Sequence, residues 1–283
     1  MKKYLAALTV LLMIATPLVA QASPESDLKQ FRSVYKTLFP KVPTADFANG
    51  VYALDKASRA QWEQFEEFPA YEIYIAKGDA LFHKKFANGN NFANCFPDYK
   101  KGIRQNYPHF DEANGGVVTL EGDINKCLTD NGEKPFGWKK GKIAYVGAYI
   151  AYLSRDNKIN IATPKTSAEL DAYNLGKKFF YSKRGQLNMS CADCHVNNPG
   201  KNLRANIIGP ALGHTTGFPV YRNKWAGSSK GDGMGTLHRR YGGCNKQVRA
   251  KPFKAQSKEY KALEYFESYM SNGQAINAPS LRM

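Results

Sequence analysis

Cys191-Ala192-Asp193-Cys194-His195 constrains this chain more than any other stretch. Two thiols separated by two residues and followed at once by an imidazole form the attachment run of a c-type haem. The thiols add to the two vinyl groups on one edge of the porphyrin, and the imidazole is placed to reach the iron. The competing reading is a thioredoxin-like redox pair, which requires a surrounding βαβ pattern that this sequence lacks.

The start of the chain says where such a cofactor is attached. Lys2 and Lys3 precede an apolar run from Leu5 to Val19, and Ala20-Gln21-Ala22 has the small-x-small form of a cleavage site. Residues 1–22 are therefore predicted to be a removed secretory signal. No later stretch approaches the roughly 18 consecutive apolar residues of a spanning helix, so no membrane anchor is expected. For a c-type cytochrome this predicts the bacterial periplasm. The formal charge of +16 falls by two when Lys2 and Lys3 leave. Such a basic chain invites a nucleic-acid reading, but export argues against it and favours an acidic partner protein, an anionic substrate, or both.

Internal similarity organises the rest. Gly78-Asp79-Ala80-Leu81-Phe82 leads to Cys95 much as Gly176-Lys177-Lys178-Phe179-Phe180 leads to Cys191 and Cys194. Cys127 precedes a helical pattern over 142–153, and Cys244 precedes another over 260–270, with Ile143, Val146, Ile150 and Leu153 in one and Leu263, Phe266 and Met270 in the other. Opening helix, cysteine site, long loop and closing helix is the order of a class I cytochrome c domain. The expected fold is mainly α, with two tandem cytochrome c-like domains over 23–160 and 161–283, the first without haem. A linker is expected over 156–167, with Thr166-Ser167-Ala168-Glu169 as a capping box for the next helix. Before the first copy, Pro40 and Pro43 break helices, and Trp62, Phe65 and Phe68 at helical spacing are expected to be packing residues.

Five cysteines must be placed. Cys95 is followed by Phe96-Pro97-Asp98 and lacks the second cysteine and the histidine of a haem run. In an oxidising compartment a Cys95–Cys127 disulfide is expected, closing a loop whose cross-link stabilises by about 3 to 4 kcal/mol. Cys244 is then the unpaired thiol.

The sixth ligand of the haem decides what the site does. Met234 lies 39 residues after His195, a separation that slightly favours it on spacing alone; His214, His238 and Cys244 are rivals in the same region. Around Cys244 the chain is cationic: from Lys201 to Lys254 there are eleven Lys or Arg and one acid, Asp232. Cations beside a thiol favour the thiolate, the form that ligates iron and attacks sulfur, and they can hold a small dianion. A solvated basic face that docks a redox partner explains the same charges equally well.

The CxxCH run, Gly217-Phe218-Pro219-Val220-Tyr221-Arg222, His238-Arg239-Arg240-Tyr241-Gly242-Gly243-Cys244-Asn245, Val248-Arg249-Ala250 and Ala278-Pro279-Ser280-Leu281-Arg282 together resemble the SoxA family, the larger subunits of the SoxAX cytochromes of sulfur-oxidising bacteria. Ala87-Asn88-Gly89, Asn94-Cys95-Phe96, Tyr107-Pro108 and Ile124-Asn125-Lys126-Cys127 extend the resemblance over nearly the whole mature chain. It implies a haem held by His195 and by the sulfur of Cys244, with Cys244 carried as a persulfide and Arg240 as its substrate-binding or catalytic partner. Because the first CxxCH is missing at Cys95, it implies one haem c per chain. Copper has been associated with some members, but no residue here identifies its ligands. The activity implied is that of an L-cysteine S-thiosulfotransferase, joining thiosulfate to a cysteine of the SoxYZ carrier and passing two electrons through the SoxX partner in a heterodimer. A plain electron carrier with His/Met ligation and a thiosulfate dehydrogenase are the alternatives.

Overall fold

Polar caps set most of the helix starts. Ser23, Asp55, Asn91, Thr119, Thr166, Ser190, Thr236 and Ser257 each place a side-chain oxygen on a backbone N–H of the first turn, which satisfies a donor the helix cannot satisfy itself. In the computed structural model, which describes residues 23–228 and 231–283, the helices in chain order are α1 (Pro24–Leu38), α2 (Lys56–Glu66), α3 (Glu72–His83), α4 (Phe92–Cys95), α5 (Leu120–Asp130), α6 (Lys142–Leu153), α7 (Ser167–Tyr181), α8 (Cys191–His195), α9 (Asn223–Ala226), α10 (Leu237–Gln247) and α11 (Lys258–Met270). The expected leader, 1–22, lies outside the described residues. The expected capping box is present at Thr166 and Glu169, and the first helix ends before Pro40 as expected.

Strands are short. A hairpin joins β1 (His109–Asp111) to β2 (Gly116–Val118), and a second joins β3 (Asn202–Leu203) to β4 (Asn206–Ile207). A three-stranded sheet has the order β6–β5–β7, where β5 (Val220–Arg222) runs antiparallel to β6 (Met234–Gly235) and parallel to β7 (Ser280–Arg282).

Two helix pairs repeat one device. At Gly78 a Cβ would stand 2.0 Å from the Tyr145 carbonyl oxygen, so α3 and α6 can cross only where a side chain is missing. At Gly176 a Cβ would stand 2.0 Å from the Ala262 carbonyl oxygen, which makes the same demand on α7 and α11. Around the first crossing, Tyr74, Phe82, Phe92, Ile124, Leu128, Ile143, Val146 and Ile150 form one apolar core. Around the second, Tyr173, Phe180, Tyr260, Leu263, Phe266 and Tyr269 form another.

The cores interleave along the chain. Phe31, Tyr35 and Phe47 join the core of α7 and α11, whereas Met234 and Leu281 join that of α3 and α6. The stretch expected as a linker is a packed strap: Ile159 and Ile161 are buried, and Ile161 N–H donates to the Asn272 side chain at 2.7 Å. Of the three spaced aromatics in α2 and just beyond it, Trp62 stacks on Tyr52 with ring centroids 5.0 Å apart. Phe65 is half exposed and Phe68 is 89% exposed.

Candidate haem and sulfur site

The CxxCH run forms α8, a helix of barely more than one turn, and needs external support. Ser190 supplies it: its hydroxyl accepts from Asp193 N–H at 3.0 Å while the Asp193 carboxylate accepts from Ser190 N–H at 2.8 Å. Tyr35 reaches in from α1, donating to the His195 carbonyl at 2.7 Å and accepting from Ala211 N–H at 3.0 Å.

This frame fixes the imidazole. His195 Nδ1 lies 2.8 Å from the Gly209 carbonyl oxygen. A carbonyl only accepts, so Nδ1 carries the proton and the lone pair stands on Nε2, the arrangement that second-shell carbonyls impose on metal-binding histidines. Burial, with His214 next to it, lowers the His195 pKa to about 3 and keeps the ring neutral. Burial pushes both the Cys191 and the Cys194 thiols up. A pair held as thiols is not poised for disulfide exchange, which disfavours the thioredoxin-like reading.

Cys191, Cys194 and His195 line one cavity of about 290 Å³, close to the lower end of the size range of cofactor pockets, roughly 300–1,000 Å³. Val51, Ile207, Ile208, Phe218 and Leu263 supply apolar wall, and Arg184, Arg222, Arg240 and Arg282 supply charge. An apolar cleft with two thiols, a neutral imidazole of the right tautomer and guanidiniums in its lining fits a haem. Arg184 and Arg222 each have a buried Nε with no partner.

The rivals for the sixth position separate cleanly. Cys244 and His214 line the cavity; Met234 and His238 do not. Met234 is fully buried in the other core on β6, so the spacing that slightly favoured it does not bring it to the cavity. His238 is enclosed, with Nε2 3.2 Å from Glu264 and Nδ1 accepting from Gln256 N–H at 3.0 Å. His214 lies tilted beside His195, ring centroids 4.7 Å apart, and its Nδ1 lies 3.0 Å from Glu267. Glu267 also accepts a hydrogen bond from the Tyr241 hydroxyl, tying α11 to α10.

Arg240 and Cys244 reach the cavity from α10. Their glycine-rich connection reads as a turn, but it is helical throughout. Two glycines cost a helix about 1 kcal/mol each. Leu237, His238, Tyr241 and Asn245 offset this by burying one face, and the Thr236 cap and the Asn245 side chain, which donates to the Tyr241 carbonyl at 2.9 Å, hold the ends. Arg240 and Cys244 are thus i and i+4, neighbours on one helix face.

Sequence reading assigned no role to Arg184, Arg222 or Arg282. The last two sit opposite each other in the β5/β7 register. Arg222 is 8% exposed, and burial, with Arg240 and Arg282 nearby, lowers its pKa to about 10. Strand pairing between distant segments makes this cluster, and no local pattern announces it.

In the other core, Cys95 and Cys127 form the expected disulfide, with Cα atoms 5.9 Å apart. Phe82, Phe92, Phe96, Ile124 and Leu128 pack around it.

A capped CxxCH turn beside a helix crossing, with a neutral, oriented histidine facing an apolar cleft, defines a c-type cytochrome. The model of the SoxA/TsdA cytochrome c domain family matches residues 77–159. The SoxA subunit of L-cysteine S-thiosulfotransferase from Chlorobaculum tepidum is 53% identical over 93% of this chain and 89% of that protein. That from Allochromatium vinosum is 46% identical over 93% and 92%. The crystal structure of SoxXA from P. pantotrophus superposes with a TM-score of 0.71 at 28% identity, covering 79% of this chain and 84% of that one. The chain belongs to the SoxA family, cytochrome subunits of L-cysteine S-thiosulfotransferase.

Proposed function

We propose that this chain is the sulfur-handling subunit of a SoxAX complex in the periplasm, with 1–22 as its leader, and that it joins thiosulfate oxidatively to a cysteine of the SoxYZ carrier. One observation carries the reading: Cys244 and Arg240, one helical turn apart on α10, face the same cavity as Cys191, Cys194 and His195. The balanced reaction is R–SH + S₂O₃²⁻ → R–S–S–SO₃⁻ + H⁺ + 2 e⁻. One sulfur–sulfur bond forms, and the two electrons must leave one at a time.

Cys191 and Cys194 would hold one haem c covalently, with His195 Nε2 and the Cys244 sulfur as candidates to bind its iron; when bound, it would supply a one-electron exit towards SoxX. Cys244, carried as a persulfide, would present its outer sulfur beside the reacting sulfurs and end the cycle unchanged. Arg240 holds the sulfonate. The neutral His195 keeps its Nε2 lone pair free because Nδ1–H donates to the Gly209 carbonyl. The two units, 23–160 and 161–283, read as tandem cytochrome c-like domains. The matched glycine crossings at Gly78 and Gly176 support this, and the Cys95–Cys127 disulfide takes the place of a haem in the first unit. Residues 24–54 belong to the first unit in sequence but lean on the second. No role for copper is proposed.

The test is a pair of variants. Cys244→Ala abolishes conjugation to the carrier and changes the haem spectrum. Arg240→Ala leaves the spectrum nearly intact and lowers turnover at least about tenfold, the loss expected for a charge-assisted hydrogen bond of about 1.5 to 3 kcal/mol. Normal conjugation by Cys244→Ala with another residue ligating the iron would return the chain to the electron-carrier reading. Tetrathionate formed without the carrier would favour a dehydrogenase.

A further inference from the structure

Three guanidiniums from three elements line the cavity that Cys244 also lines: Arg240 from α10, Arg222 from β5 and Arg282 from β7. Among the described residues, none of the three forms an ion pair with a carboxylate. Arg282 spends one N–H on the Ile207 carbonyl at 2.6 Å and lies over the Tyr52 ring. Arg222 is more than nine-tenths buried and its Nε has no partner. Glu267 is the acid in the cavity lining, but Tyr241 and His214 already engage it. Buried cations of like sign, side by side in strand register, are costly unless an anion completes the site.

The anion's shape follows from the arrangement. A planar carboxylate is satisfied by a single forked guanidinium, whereas three guanidiniums on separate elements suit the three oxygens of a tetrahedral oxyanion. Resting on the thiosulfate reading of the site, we propose that Arg222 and Arg282 form, with Arg240, a sulfonate clamp that selects the sulfur oxyanion and points its terminal sulfur at Cys244. Arg222 and Arg282 are then specificity-determining residues for the reaction.

The test uses the holoprotein with its SoxX partner and the variants Arg222→Gln, Arg282→Gln and Arg222→Lys. Thermal unfolding is followed against added sodium sulfate or thiosulfate, with sodium chloride at matched ionic strength as reference, and steady-state kinetics with the carrier are measured alongside. The wild type gains melting temperature with either divalent oxyanion beyond the chloride reference, as binding to the folded state requires. Both glutamine variants lose that gain and show a KM for thiosulfate raised about tenfold or more, with a smaller change in kcat and unchanged haem content and spectrum. Arg222→Lys recovers part of both. Should Arg222→Gln fail to fold, Arg282→Gln and Arg222→Lys decide on the same readings. Three results overturn the clamp: an undiminished oxyanion response in the folded variants; lost haem with an unchanged KM, which would assign the arginines to the haem carboxylates; or a raised KM for the carrier alone. Oxyanion binding is read without turnover, so failure of the Cys244 chemistry and failure of the clamp are told apart.

Discussion

The cores around Gly78 and Gly176 solve the same packing problem and put their cysteines to opposite use. In each, a helix with no Cβ at its crossing point lies against the backbone of a closing helix, and aromatic and branched side chains seal the sides. Near the first crossing, Cys95 and Cys127 are joined and packed among phenylalanines. Near the second, Cys191 and Cys194 stay free, line a cleft and face Cys244. The scaffold does not decide the chemistry. A cross-link ties the chain together beside one crossing, whereas a cavity lined by three free cysteines stays open beside the other.

The largest effect separates the units by their cysteines. Replacing Cys191 and Cys194 with serine removes covalent haem altogether, read by intact mass. The same replacement at Cys95 and Cys127 leaves one haem and its spectrum in place and lowers stability by about 3 to 4 kcal/mol in chemical denaturation, since the sequence separation of 32 sets the loop entropy restored to the unfolded chain. Loss of haem from the second pair of variants would mean that the units are not independent in this respect.

A smaller effect tests what they share. Gly78→Ala and Gly176→Ala each force a helix pair apart, at about 1 to 3 kcal/mol. Both lower the melting temperature, but only Gly176→Ala disturbs the haem spectrum, because α7 leads into α8. Equal spectral effects would break the comparison.

The smallest effect appears at high pH, in both cores. Burial pushes Tyr71 and Tyr260 up to about 12. An unfolded chain releases these protons near pH 10, while the folded chain holds them to about 12, so stability falls as pH rises through that window. Tyr71→Phe and Tyr260→Phe therefore each flatten the alkaline loss of stability seen by circular dichroism. A steeper loss in either variant would contradict the sign.

The Cys95–Cys127 disulfide, the capping box at Thr166 and both closing helices could be read from order and spacing alone. Such features are local, or repeat at a fixed offset. Other features were not legible. Met234 stands at a suitable distance along the chain from His195, yet β6 carries it into the opposite core. The glycines before Cys244 suggest a turn, but burial of Tyr241 and Asn245 makes that stretch helical. Phe65 and Phe68 share a helical stripe with Trp62 and remain exposed.

By itself the sequence determined which residues can carry the chemistry, because haem attachment, sulfur nucleophilicity and anion binding each demand particular side chains at short, fixed spacings. Tertiary structure alone decided which of them meet. Parallel pairing of β5 with β7 sets Arg222 beside Arg282, and the Gly209 carbonyl selects the tautomer of His195. These are contacts between segments far apart in the chain, and their energies depend on burial, which no local pattern encodes.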